Sequence, residues 1–323
     1  MGNHRVAIVI PAKNEAGRIG TCLDAVYSQR YAGGFEVLVV DSGSRDETPE
    51  IVGRYPARLL RIPPSEFSHS GTRNLGASQT SGEFIVFLTA DAFPVGSDWL
   101  EQLVAPFDVD STIAGCFGPH VAHAGADPVD AWNLERHFAN FGPQPRIFRI
   151  DAEHQEEYER LQWMYDFFSD NNSALRRSIW EQYPLPAVDM AEDQHWMKMV
   201  MSHGYAKAYA PNAVVAHSHS YSSWQWIRNW YDQHASYHDL GSPVAMRRLR
   251  MAVSYVLRTS REDLAYLRRP SDGASHRLPS QLRAVMHNAA RGAGGFLGAN
   301  YPRLPKTLRR RLSLQRRGEA SGR

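Results

Sequence analysis

Several acids and bases stand where a fold has to account for them. Asp41 closes the apolar run FEVLVV, and Asp91 closes EFIVFLTA. A carboxylate at the mouth of a buried strand costs free energy unless it is solvated, paired or bound to a cation. Turn chemistry with Ser42, Gly43 and Ser44 is one resolution for Asp41, and capping of a helix near Asp98-Trp99-Leu100 is one for Asp91. Glu192 and Asp193 are adjacent near the start of AEDQHWMKMVMSHG, an amphipathic helical pattern whose first turn favours acids. His69 and Arg73, four apart in FSHSGTRNLGA, share one face if that segment is helical, and an arginine fork matches phosphate oxygens. His217 and His219 follow the strand-like AYAPNAVVA, and alternation sends both to one face. His234 and His238 also share a helix face, but no HExxH glutamate accompanies them and no zinc site is expected. Cys22 and Cys116 form no CxxC, so neither a disulfide framework nor a zinc site is indicated.

The elements that must position these groups alternate. RVAIVIPA, FEVLVVDS, ARLLRIP and EFIVFLTA read as buried strands of a mainly parallel sheet. EAGRIGTCLDAVYSQ and GTRNLGASQTSG between them read as helices, and DETPEIVGRY begins one with Thr48 as cap and Pro49 at its first position. Strand alternating with helix gives an α/β layer fold, whose ligands gather at the carboxyl ends of the strands. Asp41 and Asp91 fall at such ends. Neither GxGxxG nor GxxxxGK[ST] follows the first strand, which runs instead into Pro11-Ala12-Lys13-Asn14-Glu15. A nucleotide bound here has to be held by carboxylates, a metal and basic side chains.

With 323 residues, 43% of them hydrophobic and 22% charged, the chain reads as globular, and no run approaches a membrane span. The start is a poor secretory signal, which predicts a cytoplasmic protein. The net charge of +2 conceals an asymmetry: residues 1–240 hold 18 basic and 30 acidic side chains, net −12, and residues 241–323 hold 18 and 4, net +14. A catalytic domain over 1–240 and a basic helical extension over 241–323 with a flexible tail are expected. In the extension, Met246, Leu249, Val253 and Val256 recur at helical spacing beside Arg247, Arg248 and Arg250, and Leu304, Leu308 and Leu312 beside Arg309, Arg310 and Arg311. Such a face can lie on anionic lipid at the inner surface of the cell membrane or dock on the acidic domain; no nucleic-acid motif accompanies the charge. Aromatic residues between 120 and 172, such as Trp132, Phe138, Phe141, Trp163 and Tyr165, are expected to be core more often than site.

VIPAKNE, VVDSGSRDET, FSHSGTRNLGA, FLTADAFP, NNSALRRSIWE, AEDQHW and HSHSYS, in that order over roughly residues 5 to 240, resemble family 2 glycosyltransferases of the GT-A fold. The likeness is greatest to bacterial rhamnosyltransferases that build surface polysaccharides, although Gly118-Pro119-His120 stands where that branch usually carries Gly-Arg-Gln. The resemblance implies an inverting, metal-dependent transfer of a sugar, rhamnose from dTDP-rhamnose, to a lipid-linked or polysaccharide acceptor. Its alternatives are a UDP- or GDP-sugar donor and a non-catalytic scaffold that binds nucleotide or glycan. By the same resemblance Asp91 is the last acid of the Asp-x-Asp motif and holds Mg²⁺ or Mn²⁺, with His217 or His219 completing the site or touching the diphosphate. Thr89 and Ala90 fill the motif's first two positions beside the nucleotide sugar, Thr89 replacing an acid. Asp41 recognises the nucleotide base with Pro11, Asn14 and Glu15, and Arg73 and His69 meet the diphosphate. Asp193 is the general base and Glu192 a positioning residue.

Overall fold

The computed structural model describes residues 4–242, 246–268 and 278–314. The chain divides into two compact units, one of residues 1–125, 134–188 and 192–218, the other of residues 126–133, 189–191 and 219–323.

In the first unit the strands are β1 (Val6–Ala12), β2 (Phe35–Asp41), β3 (Arg58–Arg61), β4 (Phe84–Leu88), β5 (Phe93–Pro94), β6 (Ile113–Phe117), β7 (His120–Val121), β8 (Arg146–Phe148), β9 (Asn172–Arg176), β10 (Ala206–Tyr209) and β11 (Val215–Ala216). The helices are α1 (Ile19–Tyr27), α2 (Thr48–Val52), α3 (His69–Ser78), α4 (Trp99–Val104), α5 (Pro106–Val109), α6 (Pro128–Ala139, shared between the units), α7 (Gln155–Asp166), α8 (Arg177–Gln182) and α9 (Glu192–Ser202). Eight strands form one sheet in the order β3-β2-β1-β4-β9-β6-β10-β8, and β5-β11-β7 form a small second one.

Period-2 alternation places successive side chains on opposite faces of the large sheet. Val6, Ile8, Ile10, Val37, Val39, Phe84 and Val86 pack on one side with Ile19, Leu23 and Val26 of α1 and Trp99 and Leu103 of α4. Val9, Leu38, Val40, Ile85 and Phe87 pack on the other, with Ala77 of α3 and Trp196, Met197 and Val200 of α9. Helix α3 lies close because Gly76 has no Cβ; one built there would strike the Val9 side chain and stand 3.2 Å from Val40. That approach brings Arg73, one turn earlier, into the interior.

The register explains why the chemical groups converge. Strands β1, β2, β3 and β4 run parallel, so Ala12, Asp41 and the residues after Leu88 reach the same edge. Strand β9 runs antiparallel between β4 and β6, pairing Asn172 with Leu88 and Ser173 with Phe117. Its start, preceded by Asp170, therefore joins that edge. Parallel β6 and β10 add Gly118 through His120 and the loop leading to β11.

In the second unit, α10 (Ser223–Asp239) begins with a capping box in which Ser222 and Gln225 satisfy each other's main-chain N–H, and α11 (Leu249–Leu267), α12 (Leu278–Ala299) and α13 (Lys306–Leu312) follow. Its interior is partly polar. The Asp263 carboxylate accepts from Asn288 at 2.6 Å and Asn133 at 3.2 Å, while Arg291 donates to Asp130 at 2.6 Å and lies 3.9 Å over the Trp226 ring. No helix of the described residues is long and apolar enough to cross a membrane.

The C-terminal pattern differs from the sequence expectation at both of its runs. Met246 is buried and Val256 is half-buried against Gly292. The outward stripe of α11 is instead Leu249, Arg250, Val253, Leu257, Arg258 and Arg261. In α13, Pro305 leaves Leu304 outside the helix, Leu312 is buried, and Arg309 folds back to the carbonyls of Leu304 and Pro302 at 2.8 and 2.6 Å. The final tail, from residue 315 on, lies outside the described residues.

Candidate active site

The loop after β1 and the loop after β2 are tied together. Asn14, at φ 56°, receives Arg45 N–H on Oδ1 at 2.9 Å and donates its own N–H to Ser44 Oγ at 2.8 Å. Asp41 is fully buried; its carboxylate accepts from Ser44 N–H at 3.1 Å and stands 3.3 Å from Arg61 Nε. Thr48 is one residue inside α2 rather than its cap, and its hydroxyl accepts the Glu15 N–H at 2.8 Å while donating to Asp46 at 2.6 Å. Glu15 therefore has a fixed main chain. Its carboxyl is raised above the usual range, first by burial and then by Asp91.

Asp91, 8% exposed, lies past the end of β4 among mixed charges. His217 Nε2 is 3.6 Å from Asp91 Oδ1, and the partly exposed Arg18 is 3.8 Å from Asp91 Oδ2 and 3.9 Å from Glu15. His219, two residues on, where the second unit begins, is exposed and stacks on Tyr221. Asp91 and His217 thus place a carboxylate and an imidazole side by side at this edge. An imidazole beside a carboxylate fits Mn²⁺ better than Mg²⁺, which takes oxygen ligands. Thr89 supplies its carbonyl to Ala92 N–H at 2.9 Å, and its buried Oγ1 has no hydrogen-bond partner among the described residues. Ala90 is buried beside it.

The second cluster surrounds the start of α9. Ala191, immediately before Glu192, holds a left-handed φ of 59°. It and Asn14 are the two non-glycine residues of positive φ among those described, and each directly precedes an acid of the site. Strained backbone of this kind costs of order 1–3 kcal/mol and persists only where the surroundings hold it. Asp193, partly exposed, accepts Gln194 N–H on Oδ1 at 2.8 Å and Asp170 N–H on Oδ2 at 3.0 Å. Desolvation, then the Asp170 and Glu192 charges, raise its carboxyl well above the ordinary range.

Arg73 is buried, its guanidinium turned onto carboxylates: it donates to Glu192 Oε1 at 2.6 Å and its Nε lies 3.7 Å from Asp170 Oδ2. This differs from the open phosphate ligand anticipated at that position. His69 does not share its environment; it begins α3 half-buried against Phe67, and Ser68 is the residue that caps the helix, accepting Gly71 N–H at 3.0 Å. Asp170, which takes Ser173 Oγ–H at 2.7 Å, has a carboxyl pushed up to about 6, chiefly by burial, against the lowering effect of Arg73.

Sequence reasoning passed over Asp170, Arg18 and Lys207. Asp170 stands just before the NNSALRRSIWE block, ahead of a strand rather than at its end, so the signal that singles out Asp41 and Asp91 does not mark it. Lys207, fully buried on β10, donates to the carbonyls of Met164, Tyr165 and Phe167 at 2.7, 2.6 and 2.7 Å, anchoring the segment that leads to Asp170. Gly118 leaves no room for a Cβ beside the Ala213 carbonyl, and His120 beyond it packs 5.2 Å from the His217 ring, so the Gly-Pro-His departure borders the Asp91 cluster. Phe138, Phe141 and Tyr165 are core, and Trp163 remains exposed.

A mainly parallel sheet whose carboxyl edge carries a carboxylate–imidazole cluster and a second acid at a helix start is the architecture of a GT-A sugar-nucleotide transferase. Residues 7–183 match the Glycosyl transferase family 2 profile, and the chain belongs to that family and is a glycosyltransferase. It is 29% identical over 315 residues to the O-antigen chain rhamnosyltransferase RfbN of Salmonella typhimurium, covering 96% of this chain and 94% of that one. It is 32% identical over 201 residues to the O-antigen chain rhamnosyltransferase WbaN of Salmonella anatum, 61% of each chain. The mannosyltransferase PcManGT of Pyrobaculum calidifontis, solved with GDP-Man and Mn²⁺, superposes with a TM-score of 0.53 at 21% identity, covering 93% of this chain and 74% of that one.

Proposed function

We propose that the chain is an inverting, Mn²⁺-dependent rhamnosyltransferase that moves rhamnose from dTDP-rhamnose to the hydroxyl of a growing polysaccharide carried on lipid. The observation that carries the reading is Asp193: a partly exposed carboxylate, oriented by two main-chain N–H donors, whose affinity for a proton is raised towards the working range of a general base. The likeness to RfbN along nearly its whole length supports rhamnose as the sugar.

In that reaction Asp193 takes the acceptor hydroxyl proton, the acceptor oxygen bonds the anomeric carbon, and the bond to the diphosphate breaks on the opposite face. Asp91 and His217 would hold the cation, which when bound neutralises the charge gathering on the leaving diphosphate. Arg18, beside Asp91 and half open to solvent, is the arginine placed to meet a phosphate oxygen. Pro11, Asn14, Glu15 and Asp41 line the nucleotide side, Thr89 and Ala90 the ribose and sugar, and His69 the rim of the diphosphate. Glu192 acts through Arg73.

The outward stripe of α11 suits a lipid-carried acceptor. Val253 is 48% and Leu257 67% exposed between Arg250, Arg258 and Arg261, a basic and apolar face complementary to an anionic bilayer. The experiment is a thermal-shift and nucleotide-release panel of dTDP-rhamnose, UDP-sugars and GDP-sugars with and without Mn²⁺. A donor at about 100 times its dissociation constant stabilises by roughly 2.7 kcal/mol. Protection by dTDP-rhamnose above the rest supports the reading; preference for a UDP- or GDP-sugar removes rhamnose, and no release from any donor removes catalysis. Sedimentation with phosphatidylglycerol but not phosphatidylcholine vesicles, lost at high salt and in Arg258→Glu/Arg261→Glu, tests the surface.

A further inference from the structure

Arg73 is buried beside the proposed base and turns its guanidinium onto the neighbouring carboxylates. Its Nη1 donates to Glu192 at 2.6 Å, its Nε lies 3.7 Å from the Asp170 carboxylate, and the Asp170 main-chain N–H donates to Asp193 Oδ2 at 3.0 Å. Ser173 fixes the other Asp170 oxygen at 2.7 Å. Three carboxylates thus crowd one place with a single arginine among them, and that arginine is spent on the two that are not the base. Both have their remaining room closed by protein, Glu192 and Asp170 being 5% and 2% exposed. A diphosphate could reach Arg73 only by displacing carboxylates from a nearly dry site, which would leave their charges buried and uncompensated.

We propose that Arg73 is a positioning residue for the base: by holding Glu192 and Asp170 it fixes the main-chain donor on Asp193 and sets the balance of charge that Asp193 experiences. This rests on the reading of Asp193 as the base. It assigns to Asp170 a role as the second half of the control, an anion opposed by the arginine cation. The two act on Asp193 with opposite sign, Asp170 raising its carboxyl and Arg73 lowering it.

Opposite signs make the test specific. The protein carrying ¹³C-labelled aspartate is titrated by carboxyl NMR, with Asp193→Asn identifying the Asp193 resonance, and the rising limb of dTDP-rhamnose hydrolysis is followed against pH with water as acceptor. Asp170→Asn keeps the main-chain donor and the side-chain volume but removes a negative charge, so the Asp193 midpoint moves down, by about one pH unit or more for a charge this close. Arg73→Gln moves it up by a similar amount. Affinity for dTDP with Mn²⁺ stays within about threefold of wild type in both, as a residue away from the diphosphate requires. Equal or absent shifts, or a loss of dTDP binding in Arg73→Gln with the midpoint unmoved, overturn the proposal. If Arg73→Gln does not fold, the downward shift in Asp170→Asn decides alone. The NMR midpoint needs no turnover, so full activity in Asp193→Asn defeats the base reading while unmoved midpoints defeat only this one.

Discussion

His217 Nε2 stands 3.6 Å from Asp91 Oδ1, too far for a hydrogen bond and close enough for both to ligate one ion. Strand β11, which carries the chain to His217, pairs Val215 with Pro94 and with His120, so the imidazole is held by sheet hydrogen bonds rather than by a loose loop. Asp91 is fixed from the other side by the turn in which Ala92 N–H meets the Thr89 carbonyl at 2.9 Å.

Asp91→Asn should raise the Mn²⁺ concentration for half-maximal rate and weaken nucleotide binding together, because one hard ligand is lost. A rate loss of about 100-fold or more is expected from an effect of several kcal/mol. His217→Ala should follow the same pattern more strongly than His219→Ala, since His217 is buried and His219 exposed. Initial rates over a Mn²⁺ series check both, and a normal metal dependence in Asp91→Asn would remove the site.

Asp193→Asn should leave Mn²⁺ and nucleotide affinity intact while transfer falls by about 100-fold to 10,000-fold. A base works deprotonated, and desolvation raises this carboxyl, so wild-type rate should climb with pH through a limb well above the ordinary aspartate range. A limb near pH 4 in the profile of kcat/KM would contradict the assignment.

Two histidines drawn away from solvent, His234 buried and His137 half-buried, give stability its own pH dependence. Burial pushes His137 and His234 down to about 4 from 6.5, so the unfolded chain takes up their protons first and stability is lost as pH falls through that interval. Asp170 opposes them: its carboxyl, raised to about 6, adds stability at acid pH that is lost as pH rises through that value. His137→Phe, in a setting of Phe138, Phe141 and Phe167 rings, should therefore reduce the fall in Tm between pH 7.5 and 5. An unchanged slope would show that this histidine does not titrate as described.

Much of the scaffold is legible in β-branched runs, because parallel strands buried on both faces need them. The edge where they end is legible too, through Asp41 and Asp91. What the pattern does not encode is reversal: β9 is antiparallel within a largely parallel sheet, and only that reversal delivers Asp170 to the carboxyl edge. Nor does spacing say which face of α3 is inward; Gly76 lets that helix approach β1 and β2 closely, and Arg73 then meets acids from β9 and α9 instead of solvent. In the same way α11 carries two apolar stripes, and packing against α12 selected Ala252 and Val256 for the inside and left Val253 and Leu257 out.

Lys207 offers the most distant test of how the base is held. Burial pushes its ammonium well below the ordinary lysine range, and three carbonyls of the segment 164–167 take all three of its protons. Those carbonyls close the end of α7, where main-chain acceptors have no partner within the helix. Lys207→Met keeps the stem and removes the donors, leaving acceptors unmatched in a dry interior at a cost of about 3 kcal/mol or more. For a chain of this size Tm should fall by about 4 °C or more. The loss should not stop at stability. Residues 167–169 run from the anchored carbonyls directly to Asp170, whose N–H orients Asp193. Transfer measured well below the new Tm should therefore fall as well, with nucleotide binding unchanged because β1, β2 and β4 do not depend on this anchor. A variant that is less stable but fully active when folded would disconnect Lys207 from the base, and one with unaltered Tm would mean the three carbonyls find other donors.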